Sequence, residues 1–108
     1  MTYDDFKKVE MKVGEIISAE KVEKSEKLLK LSVNFGEVAN RQVISGIAAA
    51  YPDRSVLVGK KFIFVTNLEP RSIMGLESQA MILASKNEAG LSLVAPVNPE
   101  AKSGDILG

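Results

Sequence analysis

The sequence predicts an all-β protein, a small barrel built from five main strands. Three observations support this prediction. Several short runs alternate between apolar and polar residues, turns rich in glycine, asparagine and proline separate them, and one run is apolar on both faces. The 108 residues fit a single domain, 1–108, and an apolar fraction of 45% is enough for one core.

The first two strands are predicted from their alternation, and the third follows a turn at residues 36–40. Residues 12–22 form the first, in which Gly14 indicates a bulge or bend. Residues 41–45 form the third. Residues 27–35 form the second, because alternate positions there are apolar: Leu29, Leu31, Val33 and Phe35.

The second half of the chain supplies the remaining strands. Residues 47–51 predict a short helical turn between the third and fourth strands, ended by Pro52. The fourth strand, 62–66, is apolar on both faces and should be the most buried. Residues 79–84 form the fifth strand, and a hairpin turn then leads into residues 91–95.

Small extensions are predicted at both ends of the barrel. Thr2 and Asp5 form a capping-box pattern before Phe6, which predicts a short N-terminal helix. Residues 105–107 are a possible closing strand. Five strands with a short helix between strands 3 and 4 are typical of the oligonucleotide-binding (OB) fold.

The composition argues against catalysis. The chain has no histidine and no cysteine, so it lacks the commonest general base, the commonest metal ligand and any thiolate. We therefore expect no enzymatic activity, no cofactor and no metal. The absence of cysteine, of an apolar membrane-spanning run and of a secretory signal predicts a cytoplasmic protein that does not enter a membrane.

A polar cluster surrounds the turn between the fourth and fifth strands. Its hydrogen-bonding side chains are Asn67, Arg71, Ser78 and Gln79. None is a strong acid, base or nucleophile at neutral pH, but all can bind phosphate, sugar hydroxyls or base edges. The alternatives are structural. Asn67 could bond to the turn backbone, Arg71 could pair with Glu69 or Glu77, and Ser78 could serve packing.

Several motifs along the chain occur in an order that resembles a known family. They are Asp5-Phe-Lys-Lys-Val9, Lys12-Val-Gly-Glu-Ile16, Ser25-Glu-Lys-Leu-Leu-Lys-Leu31, Ser45-Gly-Ile47, Tyr51-Pro52, Leu57-Val-Gly-Lys60, Asn67-Leu-Glu-Pro-Arg71 and Met74-Gly-Leu-Glu-Ser-Gln79. Together they resemble the tRNA-binding domain found at the C-terminus of methionyl-tRNA synthetases, in free-standing tRNA-binding proteins and in the endothelial monocyte-activating polypeptide.

The resemblance implies a ligand, partners and a set of contact residues. It implies an OB barrel that binds tRNA, forms a homodimer and can act beside the catalytic part of an aminoacyl-tRNA synthetase. Residues at the family's RNA-facing positions are Lys30, Ser45, Asn67, Arg71, Ser78, Gln79 and Met81.

A secretion-type chaperone or protein-interaction dimer on the same barrel is the alternative. That chaperone family shares the opening Lys-Val-Gly pattern but lacks the Ser-Gly-Ile element and the Pro-Arg to Glu-Ser loop, both present here. Apolar residues at both ends exceed what a five-stranded barrel needs, which also predicts a two-fold interface. They are Phe6, Val9, Leu93, Val94, Val97, Ile106 and Leu107.

Overall fold

The computed structural model describes all 108 residues as a β-rich chain with one α-helix and one short 3-10 helix. In chain order the elements are α1 (Tyr3–Lys7), β1 (Met11–Lys21), β2 (Leu29–Asn34), β3 (Arg41–Ser45), the 3-10 helix (Arg54–Leu57), β4 (Lys61–Val65), β5 (Arg71–Ile73), β6 (Leu76–Ser78), β7 (Met81–Ile82), β8 (Ala84–Asn87) and β9 (Gly90–Leu93). Neither helix has the length or apolar character needed to span a membrane.

Five antiparallel strands form the main sheet, in the order β3-β2-β1-β4-β7. β1 is long enough to pair with β4 through its first half and with β2 through its second half. The register of β1 against β2 shifts between Ile16 and Ser18, and such a shift bends a strand. This curvature brings β3 close to the chain around Ser78 and nearly closes the sheet, which confirms the predicted barrel.

Alternate side chains of the strands fill the barrel. Leu29, Leu31 and Val33 of β2 are buried, as their alternation predicts. The rings of Phe35 and Phe64 meet edge to face, with centroids 5.1 Å apart. These residues form the centre of one continuous core.

The lack of a side chain at Gly14 allows the Phe35 ring to pack against β1. A Cβ atom at this position would lie 2.6 Å from the Phe35 ring and 2.7 Å from a methyl group of Val33. The residue is therefore a close-packing site. The bulge that the sequence suggested at Gly14 lies instead between Ile16 and Ser18.

The helix between strands 3 and 4 begins later than predicted. Residues 48–50 make only turns, closed by the bonds from Ala50 N to Ile47 O and from Tyr51 N to Ala48 O. The 3-10 helix starts after Pro52, because the Asp53 carboxylate accepts a hydrogen bond from Ser55 N at 3.1 Å and caps the turn.

The sequence predicts a loop after the fourth strand and then a long fifth strand. In the structure the loop contains a hairpin, and the fifth strand is shorter than predicted. The fifth strand of the barrel is only Met81–Ile82. Before it, β5 and β6 form a separate hairpin, whose turn places Met74 and Gly75 at φ 50° and 79°. Two positive φ values belong to a hairpin turn that usually carries asparagine or glycine at its first position. The turn was not predicted from the sequence because a methionine occupies this position.

Both predicted extensions are present. Thr2 and Asp5 form the capping box of α1. At the other end, Ile106 makes a β-bridge with Lys12, and Leu107 N donates to Met11 O at 2.9 Å. The hairpin formed by β8 and β9 also lies where its turn was predicted.

Candidate nucleic-acid interface

A small cavity lies where the β5–β6 hairpin meets β3 and β7. Its volume is about 60 Å³, and apolar side chains make up most of its lining. Four of the seven predicted contact residues line it: Ser45, Arg71, Ser78 and Met81.

Arg71 provides an exposed positive charge at the rim of this cavity. It is the first residue of β5 and lies opposite Ser78 in the hairpin register. Its guanidinium makes no ion pair and no side-chain hydrogen bond, so the predicted alternative of a pair with Glu69 or Glu77 is not formed. All of its donors are available to an external phosphate or carboxylate.

Ser78 and Gln79 are engaged inside the protein. Ser78 is 7% exposed, and its hydroxyl accepts a hydrogen bond from Ile44 N at 3.0 Å and can donate to Ala80 O at 3.2 Å. The Gln79 side-chain oxygen accepts from Gln42 N at 2.8 Å. These bonds pair the free edge of β3, which explains how the barrel closes without another long strand. RNA contact by either side chain stays a prediction.

Asn67 lies apart from the cavity. Its side-chain oxygen accepts a hydrogen bond from Glu10 N at 2.9 Å, and its side-chain nitrogen donates to Lys8 O at 2.6 Å. The amide therefore attaches the end of β4 to the segment that joins α1 to β1. The Asn67 side chain therefore bonds to the backbone, as the structural alternative suggested. The backbone belongs to a distant segment, however, and not to its own turn.

Lys30 lies in a second depression beside the hairpin. This depression measures about 420 Å³, and Lys21, Met74 and Leu76 also line it. Lys30 is partly exposed and pairs with Glu20 across the strands at 3.3 Å. An exposed pair of this kind contributes little to stability, so its lysine can exchange partners with a ligand.

Sequence analysis missed two features of this surface. Lys21 joins Lys30 in the depression, although the lysines of the β1–β2 region look like an ordinary solvated surface in the sequence. Met74 is 59% exposed at the hairpin tip in a left-handed conformation. The following glycine is the one local signal of that turn.

A network of charges lies next to the hairpin. Hydrogen bonds from the Arg41 guanidinium hold the pKa of the Glu37 carboxyl below its ordinary value. The pKa of Glu10 is also lowered, first by the hydrogen bond from the Thr66 hydroxyl at 2.6 Å and further by Lys12. Both carboxylates are therefore ionised at neutral pH. No group of three or more potential ligand side chains is placed to hold a metal ion.

A five-stranded antiparallel barrel with an exposed arginine beside an edge hairpin places the protein in the class of small oligonucleotide-binding barrels. Residues 11–105 match the family model described as a putative tRNA binding domain. The chain belongs to this family, as its motifs predicted.

Known relatives and structures agree with this assignment. The methionine–tRNA ligase of Helicobacter pylori strain 26695 is 50% identical over 104 residues, which cover 96% of this chain and 16% of the ligase. The chain spans only 14% to 16% of the length of the curated relatives that it matches.

Solved structures match the chain over its whole length. The MetRS related protein from Pyrococcus horikoshii superimposes with a TM-score of 0.88 at 41% identity, over 97% of its own length. The CsaA chaperone protein from Picrophilus torridus gives a TM-score of 0.90 at 27% identity, over 99% of its length. The barrel is thus shared by proteins described as synthetase-related and as chaperones.

Proposed function

We propose that this chain is a non-catalytic tRNA-binding module that recognises the shape and backbone of tRNA. The observation that supports this most directly is the position of Arg71. In a member of a tRNA-binding family, it presents an unpaired guanidinium on the rim of a cavity beside the barrel edge. A guanidinium binds phosphate through two parallel hydrogen bonds, and this contact does not depend on base sequence.

Three further predicted contacts support this proposal. Ser45 lies at the end of β3 and Met81 at the start of β7, and both line the same cavity. Lys30 would add a phosphate contact from the neighbouring depression. Because Arg71 and Lys30 offer positive charge to phosphate, contacts with the tRNA backbone should dominate recognition.

Its cellular role would be to concentrate tRNA beside a catalytic partner. The relatives named as methionine–tRNA ligases carry a matching segment within a much longer chain. A binding module attached to, or associated with, a synthetase raises the effective concentration of tRNA at the catalytic site. We propose that it does so in the cytoplasm.

Salt dependence tests the proposed mode of binding. If each site neutralises roughly three or four phosphates, log affinity should fall with log salt at a slope of about −2 to −3. Fluorescence titration of two tRNAs with different anticodons, at several salt concentrations, should give similar slopes and affinities. A lack of tRNA binding, or affinity independent of salt, would contradict the proposal.

We also propose that two copies pair through the chain ends. Tyr3, Phe6 and Val9 share one shallow cavity of about 230 Å³ with Ile106 and Leu107. Val9 and Ile106 are 43% and 72% exposed, so apolar surface from both termini is left uncovered at one place. Leu93, by contrast, packs against the core of its own chain.

The dimer has a direct test. Light scattering at micromolar concentration should give about twice the chain mass of 11.7 kDa. Ile106→Asp should shift the protein to the monomer, because the interface would then bury an unpaired charge. Val38→Asp, at a fully exposed position outside this patch, is the matched control. A wild-type monomer across the concentration range would rule out the dimer.

A chaperone or protein-interaction dimer is the second candidate, favoured by the similarity to the CsaA chaperone protein. Two assays separate the candidates. A gel shift with tRNA tests the first, and suppression of aggregation of an unfolded protein tests the second. Suppression of aggregation without a tRNA shift would favour the chaperone.

A further inference from the structure

Arg41, the first residue of β3, makes an unusual number of directed contacts. Its Nε and Nη2 atoms donate to the two carboxylate oxygens of Glu37 at 2.9 and 2.7 Å. Its Nη1 atom donates to Thr66 O at 2.6 Å and to Gln79 O at 3.3 Å. The guanidinium carbon also lies 5.4 Å from the centre of the Phe35 ring. The whole side chain is therefore held in one orientation.

The two backbone acceptors of Arg41 bracket the hairpin segment, defined as residues 67–78. Thr66 is the residue before this segment and Gln79 is the residue after it. The ladder between β4 and β7 ends at the pair Val65 and Met81, so it does not join these two carbonyl groups. One arginine nitrogen joins them instead and closes the base of the hairpin segment.

Other contacts at this base hold only one of its two ends to β3. The Gln42 side chain donates to Glu77 O at 2.9 Å, and the Gln42 backbone exchanges hydrogen bonds with Gln79. These bonds attach the β6 end. Among the side chains of β3, Arg41 alone also bonds to the β4 end, through Thr66 O.

We propose that Arg41 is a positioning residue of the tRNA site: it holds both ends of the hairpin segment and thereby sets the position of Arg71 next to Ser45. The inference rests on the proposed function of Arg71. Arg41 acts through the hairpin and not by contact with RNA, since four of its five donors are already committed to protein acceptors.

The chemistry of the contact requires arginine. Three acceptors in different directions need the planar fork of a guanidinium, whereas the compact ammonium of lysine cannot span them. Arg41→Lys keeps the charge but loses the geometry. It therefore separates a positioning role from a simple attraction to phosphate, which lysine would largely preserve.

The test combines amide hydrogen exchange of the free protein with tRNA titration. In Arg41→Lys and Arg41→Met, amides of β5, β6 and Gln79 should exchange roughly tenfold faster, while amides of β1 and β4 keep their rates. The dissociation constant for tRNA should rise about five- to tenfold in both variants. Lys86→Met removes an exposed charge that has no ion pair, and it should change neither quantity.

Three results would overturn the inference. Unchanged exchange in the hairpin would show that Arg41 does not hold it. Faster exchange throughout the barrel would show a general loss of stability, with no local role. Faster hairpin exchange with unchanged tRNA affinity would show that the hairpin's position does not matter for binding. A wild-type protein that fails to bind tRNA would contradict the proposed function, while the exchange data would still test the contact itself.

Discussion

Replacing Arg71 by alanine is expected to weaken tRNA binding by about 1–3 kcal/mol, which is roughly a 5- to 150-fold rise in the dissociation constant. The reason is that Arg71 has no partner within the chain, so its donors are free for phosphate. The loss should be similar for tRNAs with different anticodons, because a phosphate contact carries no base information.

The measurement is a fluorescence titration of two unrelated tRNAs with wild type and three variants. Arg71→Lys keeps the charge and should retain part of the affinity, because a point charge replaces a two-pronged contact. Lys86→Ala removes one exposed charge elsewhere and controls for the general electrostatic effect. Wild-type affinity in Arg71→Ala would place the site elsewhere. A loss for one tRNA alone would contradict recognition of shape.

Replacing Ser78 by alanine is expected to lower the free energy of unfolding by about 1–3 kcal/mol, because a buried backbone donor would lose its partner. That donor is Ile44 N, which lies 3.0 Å from the Ser78 hydroxyl, and both residues are buried. The folded variant should still bind tRNA, since the hydroxyl faces the edge of β3 and is already engaged.

Urea unfolding measures the first effect and tRNA titration of the folded protein measures the second. Ser72→Ala is the matched control: this serine lies in the same hairpin, is exposed and makes no side-chain hydrogen bond, so its change should stay within about 0.5 kcal/mol. Unchanged stability with weaker tRNA binding in Ser78→Ala would show that the serine contacts RNA after all.

Ser78 illustrates how far the candidate site could be predicted. Ser45, Arg71, Ser78 and Met81 were chosen from the sequence and do converge on one cavity. Which of them bonds within the protein could not be predicted, because a polar side chain looks the same in a sequence whether it faces a ligand or a distant backbone group. Ser78 bonds to a residue 34 positions away.

Some of the strands could also be predicted from the sequence, and others could not. Residues 41–45 were predicted with the bounds that β3 has. β2 was predicted within two residues at each end, because one face of this strand is buried and its apolar residues alternate. The β5–β6 hairpin was not predicted. Its strands have three residues each, too few for a period to appear, and its turn carries Met74 in a conformation that methionine seldom adopts.

The sequence by itself determined the family, the barrel, and the likeness of its loop motifs to a tRNA-binding surface, since these depend on local alternation, turn residues and motif order. The tertiary structure alone decided how the barrel closes and which polar groups remain free. Arg41 shows why: its two carbonyl acceptors lie 25 and 38 positions away, and only the folding of β1, β3 and β4 around one core brings them to the same nitrogen atom.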